Sequence, residues 1–491
     1  MFRMLSFVQL GKCFYNRIRK TEVALSYNLL TLHSVKKLKN NTGQMKKSKV
    51  FAVLLAAFAL VMVSCSKEDG PSSAPQIGEV ENAVDGMKLK TGESVTFSAR
   101  MVCEDQASFA WLLDGDKVAE GKTYTFTPDK TGSFEVVFIA VNSIGRDEVK
   151  FSVNVVKYKG GFFIVNEGSF GRTMGTVDYF ADASSRTPAV YKAANPGKEL
   201  GNTTDYGALW NGNYYFVSKQ GRKLVKASAA DFKDQGEFTP GVQGADADGR
   251  SFAGVDANHG VYTTANGAYI VDLNTFTGIK YLEGSKGSGT TGMSAQCGAA
   301  VTEGDYIFVI NIKDGVLVYS KADYSFIKNL CPAHIGFVKS KDGSLWASDG
   351  GSLYRINTSS LSVVKTDLPE GLSVYTDRWA WKPAIFAASS SENALFFGSA
   401  DGNEVKKIYK YEIGNASSLS QPFAQGGATD FLYGAGIQVD PSTGDVLASF
   451  TGVSWGDNKN KLVVFDGKTG AEKSRFEYEE YVFPAMIIFN D

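Results

Sequence analysis

From residue 160 onward the chain alternates short apolar runs with glycine-rich turns, and the runs recur at a nearly constant interval. Aligning the segments that open each unit places Tyr206-Gly207-Ala208-Leu209, Ala253-Gly254-Val255-Asp256, Gly298-Ala299-Ala300-Val301, Ile335-Gly336-Phe337-Val338, Pro383-Ala384-Ile385-Phe386, Gly436-Ile437-Gln438-Val439 and Pro484-Ala485-Met486-Ile487 in register. Successive openings are 47, 45, 37, 48, 53 and 48 residues apart. A period in the mid-forties is that of a propeller blade, and seven openings predict seven blades. Each unit then supplies a second apolar strand, as in Tyr214-Tyr215-Phe216-Val217-Ser218, and a third, as in Leu224-Val225-Lys226-Ala227. Small residues are expected in the opening strand because strands crowd near the axis.

The last unit is incomplete. Residues 484–489 supply an inner strand with nothing after it, whereas 161–165 and 176–180 read as second and third strands without an inner one. Joining the two ends completes one blade and leaves no open sheet edge.

Residues 76–157 follow a different rhythm. Five short strands, at 94–99, 109–113, 123–126, 134–140 and 149–155, are separated by Asp114-Gly115 and Thr131-Gly132-Ser133 turns, which predicts a small β-sandwich with Trp111 plugging its core. Its order of Trp, Asp-Gly, Tyr-Thr-Phe and Val-Asn-Ser resembles PKD or immunoglobulin-like surface modules, and a spacer role is expected. The whole chain is thus read as all-β, a seven-bladed propeller (160–491) preceded by an Ig/PKD-like sandwich (76–157).

Upstream, Lys46, Lys47 and Lys49 precede an apolar stretch at 50–63, too short to cross a bilayer of roughly 30 Å as a helix. Met62-Val63-Ser64-Cys65 resembles the lipobox of bacterial lipoproteins, so 45–64 is read as a signal peptide, Cys65 as the lipidated residue and 65–75 as anchor and linker. Ser66-Lys67-Glu68-Asp69 resembles the Bacteroidota signal for export to the outer face of the outer membrane. Residues 1–44 are then read as an upstream segment from a start called too early, with Met45 as the true start.

This layout changes the charge. Taking the eight Lys and Arg of 1–44 and the three of the signal head from 51, and Glu22 from 52 acids, leaves 40 basic against 51 acidic, about −11. Such a surface repels phosphate backbones, so no nucleic-acid partner is expected, and the membrane is met through the lipid alone.

Catalytic and metal signatures are sparse. Beyond Cys65 only His259 and His334 are left to serve Ser-His-Asp or Cys-His catalysis, and with Cys103, Cys297 and Cys331 they show no ligand spacing; no metal and no cofactor is expected. The three cysteines are read as small buried hydrophobes, with pairing of Cys297 and Cys331 left open. Asp246-Ala-Asp248-Gly249 and Lys341-Asp342-Gly343-Ser344 are read as turns rather than calcium loops.

The connections entering the inner strands and the turns between second and third strands should share one face of the propeller. Those segments are rich in aromatic, Arg and amide groups, which suits a bulky, partly apolar, hydrogen-bonding ligand. The candidate ligand residues are Asn166, Glu167, Phe170, Tyr206, Arg222, Arg250, Tyr375, Arg378, Trp379, Trp381 and Trp455; none is assigned a catalytic role.

The stretch Gly161-Phe162-Phe163-Ile164-Val165-Asn166-Glu167-Gly168-Ser169-Phe170-Gly171, with Val177-Asp178-Tyr179-Phe180 and Phe483-Pro484-Ala485-Met486, resembles the DUF5074 or surface-layer (YVTN, YncE-like) propeller lipoproteins of Bacteroidota. The resemblance implies a non-enzymatic surface lipoprotein whose loop face binds a small molecule, a corrinoid such as vitamin B12 among the candidates, for a TonB-dependent transporter. Two alternatives accompany it. An adhesion or protein-interaction module would present a wide, flat loop face, and a propeller hydrolase or lyase would carry a carboxylate or metal cluster at the central channel.

Overall fold

The computed structural model describes residues 70–286, 296–376, 381–401, 404–452, 458–480 and 482–490. The signal segment, Cys65, Arg378, Trp379 and Trp455 lie outside them. Contacts within the chain divide it into two compact units, one built on residues 93–127 and 133–153 and one that includes everything from residue 154.

The first unit is a two-sheet sandwich. One sheet pairs Gln76–Glu81, Val95–Cys103 and Thr123–Phe126; the other contains Arg146–Val156, Gly132–Val141, Ser108–Leu113 and Asp116–Glu120. All five strands expected from sequence are present. Alternation along Val95–Cys103 turns one face of its sheet inward, whereas Gly132–Val141 is buried on both faces from Val136 to Ala140. Trp111 is completely buried there, its ring 4.7 Å from Phe138 and 5.9 Å from Phe97 between centroids. It is a core plug.

The second unit is a propeller. Antiparallel four-stranded sets are built on inner strands Asn202–Trp210, Gly249–Gly254, Cys297–Glu303, Ile335–Lys339, Phe386–Ala388 and Asp430–Val439. One further set takes its inner strand, Pro484–Phe489, from the end of the chain and pairs it with Phe162–Asn166, followed by Thr176–Asp182 and Ser185–Thr187. Counting this mixed set as the first blade, the others follow in chain order as the second to the seventh. Inner strands pack on their neighbours in a closed order that returns from the seventh blade to the first, where Ala435 pairs in parallel with Met486. The ring closure expected from sequence is therefore present. It is fastened by Asn490, whose Nδ2 donates to the Tyr158 carbonyl (2.8 Å) while its Oδ1 accepts from the Tyr214 hydroxyl (2.6 Å).

Crowding at the axis explains the small residues. At Gly434 (φ 55°) a Cβ would lie 2.2 Å from the carbonyl oxygen of Ala485 on the adjoining inner strand. Away from the axis, large side chains fill the wedges between blades: Tyr215 of the second blade stacks on Phe252 of the third with ring centroids 4.0 Å apart. Burying each such ring stabilises the fold by about 1.5–3 kcal/mol. Outermost strands such as Phe326–Cys331, Ser362–Asp367 and Glu472–Glu479 are mostly exposed, and the latter two are mostly polar. The three cysteines among the described residues are unpaired; Cys297 and Cys331 are buried, and Cys103 is half-buried. Cys331 ends the outer strand of the fourth blade, opposite Val316, and does not enter a new inner strand. Asp342 accepts from the Ser344 amide (3.0 Å) and the Ser340 hydroxyl (2.7 Å), the turn chemistry expected of it.

Candidate functional site

Strand register fixes which groups share a face. Asn202, near the start of its inner strand, pairs with Gln220 at the end of the second strand, and Val217 pairs with Leu224 at the start of the third. Inner-strand beginnings and second-strand ends therefore lie together on what is here called the upper face. Asn166 pairs with Pro484 in the same way, so Glu167 also belongs to it.

A cavity of about 350 Å³ runs among the inner strands. Its wall takes Tyr206, Ala299, Ala300, Gly336, Phe386, Ala387, Ala435, Gln438 and Met486, drawn from six of the seven inner strands, with Trp381 and Pro383 at the approach to the sixth. It is the axial channel, where alanines share the wall with larger apolar side chains such as Phe337, Val338 and Phe386 and with Lys339. Tyr206 is buried enough that its phenol is pushed up to about 12, so it stays neutral as a donor.

Buried charged groups gather on the upper face beside this channel. Glu167 of the first blade accepts from the Tyr433 hydroxyl of the seventh at 2.5 Å and meets Lys382 Nζ of the sixth at 3.1 Å. The sixth and first blades are not neighbours, so Lys382 and Glu167 reach past the seventh to meet. In the second blade, Lys219 Nζ lies 2.8 Å from Asp205 Oδ2 with both side chains buried, and Asp205 Oδ1 has no hydrogen-bond partner among the described residues. In the third blade the Arg250 guanidinium donates from Nε and Nη2 to Gln296 Oε1 (3.0 and 2.9 Å) and from Nη1 to the Gly249 carbonyl (2.8 Å).

These groups feel one another. Burial pushes the Glu167 carboxyl up, but the Lys382 and Lys219 charges and the Tyr433 hydroxyl outweigh it and hold it below the usual range. For Asp205 burial wins, aided by the Glu167 charge and against Lys219 and Arg250, and its carboxyl is raised. Burial likewise lowers Arg250, with Asp205 and Asp248 opposing it. The backbone here is strained as well: Thr203, a β-branched residue, has φ of 59°, and Phe483, whose carbonyl accepts from the Glu167 amide, has φ of 50°. Strain of this kind costs about 1–3 kcal/mol per residue and concentrates at functional sites.

The residues singled out from sequence fall into distinct places. Tyr206 and Trp381 line the channel, Glu167 meets Lys382 next to Trp381, and Arg250 is buried on the third inner strand outside the channel wall. Asn166 is buried just behind, its Nδ2 donating to Thr176 Oγ1 at 3.1 Å and its Oδ1 unpartnered. Phe170 is 62% exposed on the loop after Glu167, near the exposed Met174. Tyr375 lines a narrow cleft with Lys382, Phe431 and Tyr433. Arg222 stands apart, fully engaged by Glu237 (2.7 Å), Asp234 (2.6 Å) and the Tyr191 hydroxyl (2.8 Å) along the edge of the second blade, which gives it a structural role. Sequence reasoning passed over Asp205, Lys219, Gln296, Lys382 and Tyr433 as individual site residues, although it had marked the segments that hold them. Their signal was a charged or amide group beside an inner-strand beginning, where packing alone calls for small apolar residues.

Among the described residues no group of three or more His, Cys, Asp or Glu is placed to hold a metal, and no helix is long and apolar enough to cross a membrane.

A family profile described as "Domain of unknown function (DUF5074)" matches residues 160–490, and a PKD-like domain profile matches residues 75–142. No curated protein sequence matches the chain. A solved quinonprotein alcohol dehydrogenase-like protein from Bacteroides thetaiotaomicron superposes with a TM-score of 0.53 at 18% identity, covering 85% of this chain and 99% of its own. The periplasmic gluconolactonase of Pseudomonas aeruginosa gives 0.41 at 12% identity, covering 67% of this chain and 99% of its own. At these identities the first likeness is one of fold, and no chemistry transfers from either.

Proposed function

Because the chain belongs to the DUF5074 family, whose description assigns no activity, we propose its function from the channel mouth: it is a binding module that takes a ligand through the upper face. The observation that carries this reading is the gathering of buried charged groups from the first, second, third and sixth blades beside a 350 Å³ channel. Buried ionic groups are costly for a fold and are kept where function uses them. The protein is placed at the cell surface, held through lipid on Cys65, on the strength of the sequence signals around that residue.

The finer reading is nutrient capture for a TonB-dependent transporter, with a corrinoid as the ligand. A whole corrinoid is larger than a channel of about 350 Å³ and would rest on the mouth, with Phe170 and Tyr375 as aromatic surfaces on that face. Isothermal calorimetry of the purified chain against cobalamin and cobinamide is expected to give saturable heat. A folded protein that gives none would remove the corrinoid and leave the channel as a site for something smaller.

One observation favours a second reading. Glu167 is lowered and Asp205 raised at the same mouth, and carboxyls driven apart in this way can divide the roles of base and acid in a hydrolase or lyase. Under that reading a bound ligand recovered after incubation would have changed mass, and Asp205→Asn would stop the change; under the binding reading it is recovered intact.

A further inference from the structure

We propose that Lys219 and Asp205 are joined by an intramolecular amide bond between Nζ and Cγ, a covalent cross-link between the inner and second strands of the second blade. Neither residue lines the channel, so the link is independent of what the channel binds.

Asp205 is the extra residue of a bulge. Thr204 pairs with Ser218 and Tyr206 with Val217, so nothing on the second strand lies opposite Asp205, and a bulge of this kind re-aims the side chain it carries. Here that side chain meets Lys219, the residue next to Ser218. Nζ lies 2.8 Å from Oδ2, with the two side chains 6% and 1% exposed.

The pair is set apart by how little else it touches. Other buried carboxylates of the propeller have a neutral donor besides their cation: Glu167 accepts from the Tyr433 hydroxyl, Asp178 from the Ala189 amide (2.9 Å) and Asp430 from the Gly427 amide (2.8 Å). Among the described residues Asp205 has none. Its Oδ1 is unpartnered, the approach of Lys219 to Oδ2 is off the line of an aligned hydrogen bond, and Lys219 makes no other hydrogen bond or ion pair there. Two charges withdrawn from water with one poorly aligned contact between them are costly. An amide carries neither charge.

Condensation balances within the pair. Two Nζ protons pass to Oδ2, the Nζ–Cγ bond forms as the Cγ–Oδ2 bond breaks, and one water leaves, so neither an oxidant nor an activating group is consumed. The ion pair holds the nitrogen beside the bond it would break, which replaces a chance encounter by a fixed geometry. Burial and the Glu167 charge raise the Asp205 carboxyl and so favour the neutral acid, from which water departs more readily. A linked Asp205 is no longer an acid, which removes the hydrolase or lyase reading and leaves the binding one.

Trypsin digestion of the purified full chain, with mass spectrometry of the fragments, tests this. Cutting after Lys198, Lys219 and Arg222 releases 199–219 from an unlinked chain, whereas a linked Lys219 resists cutting and gives 199–222 lighter by one water. The linked fragment is expected. Lys219→Arg keeps the charge without the nucleophilic amine and should restore 199–219 at full mass. Recovery of 199–219 at full mass from the parent chain, with no linked fragment, overturns the cross-link. So does 199–219 lighter by one water, which is closure of Asp205 onto its own backbone with Lys219 still free. A fragment 199–222 at full mass overturns it too, because Lys219 has then only escaped cutting.

Discussion

Trp381 and Glu167 stand at the same mouth and do opposite things there. Trp381 is 3% exposed and lies against Gly298, where an added Cβ would come within 2.3 Å of its indole nitrogen. Trp381→Ala is expected to cost about 3–5 kcal/mol, read as a lower midpoint in thermal unfolding. An unchanged midpoint would make this ring a ligand platform instead of a packing residue. Glu167 bears on pH. Its folded pKa lies below the ordinary 4.5, so its contribution to stability is present above that value and is lost as acid carries the pH down through the folded one. Denaturant unfolding from about pH 6 to about pH 3 should show this loss. Glu167→Gln should weaken the protein by about 3 kcal/mol near pH 6, by taking the carboxylate away from Lys382, and flatten the acid limb; a limb parallel to the parent's would exclude it. At this scale the site was half legible. Arginine and aromatic residues are conspicuous in a sequence, whereas Lys219, Asp205 and Gln296 acquire meaning only when register places them beside one another.

Strands were read with uneven success, for a physical reason. Every inner, second and third strand of the repeating units was visible, because their runs are apolar and buried, as in Tyr306–Asn311 and Gly315–Ser320. The outer strands escaped notice: Glu472–Glu479 alternates only between exposed and half-buried positions, and a strand with one wet face and little apolar content has no period to detect. The strand Pro484–Phe489 carries the strongest expectation at this level. Removing residues 484–490 would uncover the edge of Phe162–Asn166, whose five residues are all buried in the closed ring. Such an apolar edge invites pairing with other chains, so the truncated protein is expected to elute from size exclusion as aggregates; a monomer with an intact far-UV spectrum would show that closure is dispensable.

As a whole, the molecule was legible in plan because repetition is written into the chain: the blade period, the switch from sandwich to propeller near residue 157 and the shared first blade all follow from where apolar runs recur. The closure of that first blade also has a consequence in time. Asn490 and the Tyr158 carbonyl it binds are 332 positions apart. With synthesis at roughly 5–20 residues per second, the second and third strands of the first blade wait on the order of half a minute before their inner strand exists. During that interval Phe162–Asn166 has native partners on one side only, and the ring cannot lock until Pro484–Phe489 arrives. The ring is therefore exposed to error until Pro484–Phe489 has arrived, and a chaperone that shields Phe162–Asn166 for that interval would protect the whole ring.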